Sequence, residues 1–226
     1  MKLIIFDCDG VLVNSEEIYL AAELEFLASI GVIFERGSYT QAFMGLSPAM
    51  WKTKLQSTVE QKSGGTLPPD FFERLDELTS ARMDKHLAAL PEARLTISGI
   101  TALRCVASST PSARLHWKLQ HTGLISLFDP HIFSSDMVRN GKPAPDLFLH
   151  AAAAMGAHPD ECVVVEDSVN GVMAGKAAGM HVIGFTAGGH CGGNHGDSLL
   201  MSGADTIVCK YGDLVAALNG LGTMTA

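Results

Sequence analysis

Nothing in this 226-residue chain approaches the roughly 18 consecutive apolar residues that a membrane span requires. The apolar opening Leu3-Ile4-Ile5-Phe6 stops at Asp7, too soon for the hydrophobic part of a secretory signal. A cytoplasmic protein with no membrane partner is expected. Positive charge is scarce: Lys and Arg number 16 against 24 Asp and Glu, a formal charge of -8. Such a surface lacks the basic footprint of a nucleic-acid binder, although one local site can still hold a small anion. Cysteine is sparse, and its count of 5 is odd. Cys105, Cys162 and Cys209 lie in apolar stretches that read as buried strands, so they are expected as reduced core thiols. Internal repeats and low-complexity tracts are absent.

What is present suits an α/β protein. Hydrophobic residues make up 47% of the chain, enough for a sizeable core. Short apolar runs recur at Leu3–Phe6, Cys105–Ala107, His131–Phe133, Cys162–Val165, Val182–Phe185 and Thr206–Cys209. Beyond Ala107 they alternate with helix-like segments. Strands apolar on both faces and separated by helices predict a parallel sheet covered on each side. Residues 14–88 break that rhythm. Leu20, Leu24 and Leu27 share a helical face with Gly31 as a stop, Ser63-Gly64-Gly65 reads as a loop, and Pro68-Pro69-Asp70 precedes an amphipathic run from Phe71 to Leu87. The expected division is a core of residues 1–13 and 89–226, with a helical insert at 14–88.

Four constellations carry chemistry. Asp7-Cys8-Asp9-Gly10 follows the first apolar run. A carboxylate buried alone costs several kcal/mol, so acids at a strand end suggest a ligand site; the bland alternative is a solvated Asp-Gly turn. Glu166-Asp167-Ser168 repeats the pattern after Val163-Val164-Val165. Carboxylates gathered from two strand ends suit Mg²⁺. Helix capping by Asp167 or Ser168 is the alternative, but it leaves Glu166 unexplained. Gly171, Gly175 and Gly179 would give the following helix a smooth packing face. Ser108-Ser109-Thr110-Pro111 places hydroxyls before a helix start, where a phosphate or ordinary capping would fit. Lys142 lies between Gly141 and Pro143, with Pro145 at the next helix start.

Taken in this order, Asp7-x-Asp9, Ser108, Lys142 and Glu166-Asp167 resemble the four motifs of the haloacid dehalogenase superfamily of phosphohydrolases, over nearly the whole chain. Phe6-Asp7-Cys8-Asp9-Gly10-Val11-Leu12 is similar to the branch holding β-phosphoglucomutase, phosphoglycolate phosphatase and 6-phosphogluconate phosphatase. The last shares Cys8, Asn14-Ser15-Glu16, Met155 and the stretch after Phe185. The resemblance implies a Rossmann-like parallel core with an inserted all-helical cap domain. It implies an Mg²⁺-dependent phosphatase of a small phosphorylated metabolite, a sugar phosphate or phospho-sugar acid, working as a monomer or weak dimer. Asp7 would be the nucleophile and Asp9 the acid and base, with Ser108 and Lys142 completing the catalytic set. Ser15, Ser108, Ser109 and Lys142 would bind substrate. Asp7, Asp9, Glu166 and Asp167 would hold the metal, with Asp9 using its carbonyl.

The acid at Asp9 favours an oxygen leaving group, which needs a proton, over a halide. A sugar phosphomutase is the alternative activity, and a non-catalytic phosphometabolite binder is a more distant one. Tyr19 replaces the cap histidine of the mutase, and no basic residue follows Gly45, both of which count against mutase activity. Lys52, Lys54 or Arg82 could make the distal contacts instead. Leu90-Pro91-Glu92-Ala93-Arg94 replaces a common Pro-Gly-Val. Trp51 and Trp117 read as packing residues. Gly188-Gly189-His190-Cys191-Gly192-Gly193-Asn194-His195 reads as a flexible surface loop, with zinc ligation the lesser alternative.

Overall fold

The computed structural model describes residues 1–43, 46 and 48–222. The chain divides into two compact units, one of residues 1–14 and 88–226, the other Ser15–Leu87. The second unit holds α1 (Ser15–Ser29), α2 (Arg36–Phe43), α3 (Pro48–Ser63) and α4 (Phe71–His86). Leu20, Phe26 and Leu27 of α1 are buried with Leu55 and Val59 of α3 and with Phe71 and Leu75 of α4. Burying each such side chain contributes about 1.5–3 kcal/mol. Phe71 meets Phe26 edge-on with centroids 5.1 Å apart, so Phe71→Ala would open the centre of this cluster. Trp51 packs against the cluster, as expected.

The first unit is built on the apolar runs, which form β1 (Leu3–Phe6), β2 (Leu103–Ser108), β3 (Ile132–Ser134), β4 (Cys162–Glu166), β5 (His181–Phe185) and β6 (Thr206–Val208). All neighbours are parallel, in the order β3-β2-β1-β4-β5-β6. Between and after the strands lie α5 (Ala93–Ser98), α6 (Ser112–His121), α7 (Asp146–Ala154), α8 (Val169–Ala177), α9 (His195–Met201) and α10 (Tyr211–Gly222). Strand side chains alternate between faces. Leu3, Ile5, Cys105, Val164 and Val182 pack with Leu147 and Phe148 of α7, Val172 of α8 and Leu199 of α9. The alternate positions face the other way: Phe6 meets Phe128 and Phe185 meets Tyr211 of α10.

The strand order places the site. From β1 the chain builds β2 and β3 on one side, then crosses to β4, β5 and β6 on the other. Connections therefore diverge between β1 and β4, and in open α/β sheets ligands bind beyond the strand ends at that divide. Phe6 is level with Val106 of β2 and Val165 of β4. The residues that follow each of them, Asp7, Ala107 and Glu166, thus reach the carboxyl edge of the sheet together. The amide of Asp7 still donates to the Val165 carbonyl at 3.0 Å.

Several local expectations need correction. Cys209 lies just past β6 and is exposed, whereas Cys105 and Cys162 are buried. Gly179 is not part of a packing face: it follows α8 with φ 76°, and a Cβ there would meet nothing within 4 Å. Trp117 is only half-buried and stacks on His121 with Arg114 over its ring. Glu92, unexpectedly for a residue with a Cβ, takes φ 64°, a left-handed conformation that favours glycine.

Candidate active site

Asp7 is 6% exposed at the end of β1. Lys142 reaches it from the segment before α7: its Nζ donates to Asp7 Oδ1 at 2.5 Å, Glu166 Oε1 at 2.7 Å and the Ala107 carbonyl at 3.1 Å. One ammonium thus ties together the edges of β1, β2 and β4. Burial works against the Lys142 charge, yet Asp7 and Glu166 outweigh it and hold its pKa above the ordinary lysine value. Burial pushes the Asp7 carboxyl well above its usual range; Lys142 opposes this, while Glu166, Asp167 and Asp9 reinforce it.

Asp9 sits on a second network. Thr110 Oγ1 donates to Asp9 Oδ2 at 2.6 Å, Ser108 Oγ lies 3.5 Å from the same oxygen, and the Thr110 amide donates to Ser108 Oγ at 3.1 Å. Lys118 of α6 forms an ion pair with Asp9 Oδ1. Sequence reasoning missed both Thr110 and Lys118. A signal for the lysine existed: Leu115 and Leu119 are the buried positions of α6, and Lys118 lies beside them on the same face, itself buried. Ser109 is brought less close; it is exposed, and its carbonyl accepts from Ser135 Oγ.

Asp167 completes the edge. Burial raises its carboxyl well above the usual range, with Glu166 and Asp9 adding to the effect and Lys142 opposing it. Gly10, at φ 74°, turns the chain where only a residue without Cβ fits, since a Cβ there would stand 1.8 Å from Asp167 Oδ2. The segment 188–195, expected as a flexible surface loop, instead delivers two rings to Asp167. His190 is 4% exposed with Nε2 2.8 Å from Asp167 Oδ2, and His195 Nε2 lies 2.6 Å from the Asp167 carbonyl. Burial holds the His195 pKa below its ordinary value. The helix cap is Ser168, which accepts from the Gly171 amide. Glu166 accepts from the Ser168 amide and hydroxyl at 2.8 and 3.0 Å. That hydrogen-bonding role accounts for the acid that capping alone left over.

The donor set fits a hard divalent cation. Asp7, Asp9, Glu166 and Asp167 supply only oxygen, and these four carboxyl groups gather around two buried lysines, Lys118 and Lys142. Burial raises Asp7 and Asp167, the neighbouring acids add to it, and a dication held here would oppose both effects.

The helical unit carries its own cavity of about 270 Å³, whose lining includes Glu16, Tyr19, Glu23, Tyr39, Trp51 and Asp76. Tyr39 donates to Glu23 Oε2 at 2.7 Å. Ser15 is buried at the start of α1. The cations expected to make distal contacts are engaged inside this unit. Lys52 lies over the Phe72 ring, Lys54 donates to the Ala42 carbonyl at 2.6 Å, and Arg82 pairs with Glu25. The expectation drawn from Gly45 falls outside the described residues.

Both the sequence and the fold have relatives among known proteins. Residues 1–179 match the family model of the haloacid dehalogenase-like hydrolases. The chain is 31% identical over 191 residues to 6-phosphogluconate phosphatase of Escherichia coli, covering 84% of this chain and 85% of that one. A haloacid dehalogenase-like protein of Agrobacterium tumefaciens superposes with TM-score 0.90 at 37% identity, covering 98% and 99% of the two chains. A hydrolase of the same family from Deinococcus radiodurans, solved with phosphate and sodium, gives 0.86 at 32% identity over 98% and 96%.

Proposed function

This chain belongs to the haloacid dehalogenase-like hydrolases, and on that premise we propose that it is an Mg²⁺-dependent phosphatase of small sugar or polyol phosphates that works through an aspartyl-phosphate on Asp7. The observation that carries the reading is the Lys142 bridge between Asp7 and Glu166. An anionic nucleophile must approach an anionic phosphoryl group, and like charges about 4 Å apart repel by roughly 4 kcal/mol at an effective dielectric near 20. A buried, fully charged lysine at the nucleophile offsets that repulsion and stabilises charge on the transferring oxygens.

Asp7, Glu166 and Asp167, with the Asp9 carbonyl, are the residues that would hold Mg²⁺, whose charge would further neutralise the phosphoryl oxygens. A carboxylate oxygen of Asp7 attacks phosphorus, and the bond to the leaving oxygen breaks. Asp9 gives that oxygen its proton, then takes one from the water that attacks phosphorus and releases Asp7. Lys118 and Thr110 fix the direction of the Asp9 carboxyl during both transfers. Ser108, buried at the end of β2, would donate to the phosphoryl group.

The relatives bear on the choice of substrate. The chain is similar to 6-phosphogluconate phosphatase at 31% identity and to hexitol phosphatase B at 32% identity, both of Escherichia coli, so a phospho-sugar acid and a polyol phosphate are the two leaving groups to compare.

The test is phosphate release from a panel of hexitol phosphates, aldose and ketose phosphates and 6-phosphogluconate, with Mg²⁺ and with EDTA. Turnover should require Mg²⁺, appear with at least one sugar or polyol phosphate of the panel and vanish in Asp7→Asn. Full turnover in EDTA would remove the mechanism. β-Glucose 1-phosphate converted to the 6-phosphate faster than free phosphate appears would establish a mutase instead.

A further inference from the structure

Among the described residues, one group of three His, Cys, Asp or Glu side chains brings a ligand atom from each within 4.8 Å of the others: His190, Cys191 and His195. Their chemistry differs from that of the carboxylate edge. Two imidazoles and a thiol are borderline-to-soft donors, suited to Zn²⁺ and its neighbours and poorly suited to Mg²⁺. Cys191 Sγ already lies 3.3 Å from His190 Nε2, and the same nitrogen lies 2.8 Å from Asp167 Oδ2. A tetrahedral zinc with bonds of about 2.0–2.3 Å holds its donors roughly 3.3–3.6 Å apart. The sulfur and the His190 nitrogen are thus at that spacing before any ion enters, and the Asp167 oxygen adjoins the same nitrogen.

The surroundings fit as well. Metal-bound histidines commonly donate their second ring N–H to a carbonyl or carboxylate, which fixes the tautomer. His195 does this through Nε2, 2.6 Å from the Asp167 carbonyl, leaving Nδ1 with the free lone pair. The His190 ring is buried in space that only glycine leaves open, since a Cβ on Gly10 would come within 2.7 Å of it and one on Gly188 within 2.5 Å.

We propose that His190, Cys191 and His195, with the Asp167 carboxylate as fourth donor, form a site for a thiophilic divalent cation such as Zn²⁺, and that filling it restrains the phosphatase. Binding releases the thiol proton of Cys191 to solvent, and the His190 ring proton moves from Nε2 to Nδ1 so that Nε2 can ligate. Asp167, turned toward this ion, is lost to the magnesium set. The metal-poor enzyme is then active and the zinc-loaded enzyme is held back through a residue common to both ligand sets. The site itself stands on the geometry above; only the restraint rests on the proposed reaction.

Co²⁺ substitution and zinc inhibition together test it, using the whole chain. One equivalent of Co²⁺ should give a thiolate-to-metal charge-transfer band and strong tetrahedral visible bands. Both should be lost in Cys191→Ser and kept in Cys209→Ser, which removes the exposed cysteine. Zinc should inhibit turnover in saturating Mg²⁺, and Cys191→Ser should raise the half-inhibiting concentration by about 10-fold or more, each variant being compared with its own zinc-free rate. A Co²⁺ spectrum without the thiolate band, or one lost only in Cys209→Ser, overturns the site. Inhibition unchanged by Cys191→Ser shows zinc acting at the carboxylates and overturns the restraint. The spectrum reads the site even if the protein releases no phosphate from any substrate offered.

Discussion

Lys118 and Asp9 lie 109 positions apart in sequence, yet they meet as an ion pair in which the lysine side chain is only 2% exposed. A lysine desolvated this far is stable only with a partner. Asp9 gains a fixed direction in return. Lys118→Met keeps the length and apolar stem, so α6 should still pack, but Asp9 loses its anchor. The proton donor and acceptor of the proposed reaction would then be misdirected. We expect kcat to fall by about 100-fold, the scale of a lost general acid, with a smaller change in KM. Steady-state kinetics on the substrate chosen from the panel decide this, and an unchanged kcat would reduce Lys118 to a structural pairing.

Gly171 opens a second test. Built with a Cβ, it would stand 1.7 Å from Glu166 Oε1, the oxygen bonded to Lys142. Helix propensity alone favours Gly171→Ala in α8 by about 1 kcal/mol. The clash should win, because Glu166 is buried and tied to Ser168 and Lys142 and has nowhere to retreat. Melting temperature and turnover should therefore both drop. A more stable and fully active Gly171→Ala protein would show that Glu166 can move without cost.

Most of the frame was legible in the sequence because it rests on local pattern. Val163-Val164-Val165 followed by Glu166-Asp167 is a buried strand ending in acids in any fold that accepts it, and β1 with Asp7 reads the same way. Their meeting needed only the strand order. The contacts of Thr110 and Lys118 with Asp9, and of His190 and His195 with Asp167, were not legible, because they depend on where α6 and the 188–195 segment are carried in space. The glycines around His190 suggested looseness. The structure uses Gly188 for the close approach of a ring, which composition cannot distinguish from a flexible turn.

Glu92 tests the backbone. Its φ of 64° puts a Cβ-bearing residue in the left-handed region, at a cost of about 1–2 kcal/mol. Glycine would remove that cost but give back part of it through the greater freedom of the unfolded chain, by about 0.5–1 kcal/mol. Glu92→Gly should therefore stabilise the protein by up to about 1.5 kcal/mol, read from the midpoint of denaturant unfolding. Destabilisation would mean that the Glu92 side chain makes a contact worth more than the strain.

Glu23 supplies a pH dependence with a definite sign. Burial raises its carboxyl from 4.5 to about 7, against hydrogen bonds from Tyr39 and Trp51 that pull it down. In the unfolded chain the group returns to its ordinary value near 4.3. Between these two values the folded protein binds the extra proton, so its stability falls as pH rises. The contribution is fully present below about pH 4.3 and is gone once pH passes through about 7. Its size is on the order of 1–4 kcal/mol, the upper figure being the full shift at about 1.4 kcal/mol per unit and the lower allowing for solvent screening. Glu23→Gln keeps an oxygen for the Tyr39 hydroxyl and removes the titration. Unfolding by denaturant at pH 5 and pH 8, followed by Trp51 fluorescence in a Trp117→Phe background, reads the helical unit directly. The wild-type side chain should lose more stability than the glutamine variant between the two pH values. Parallel profiles would show that Glu23 is ionised in the folded state throughout, with its charge neutralised by a partner other than Tyr39.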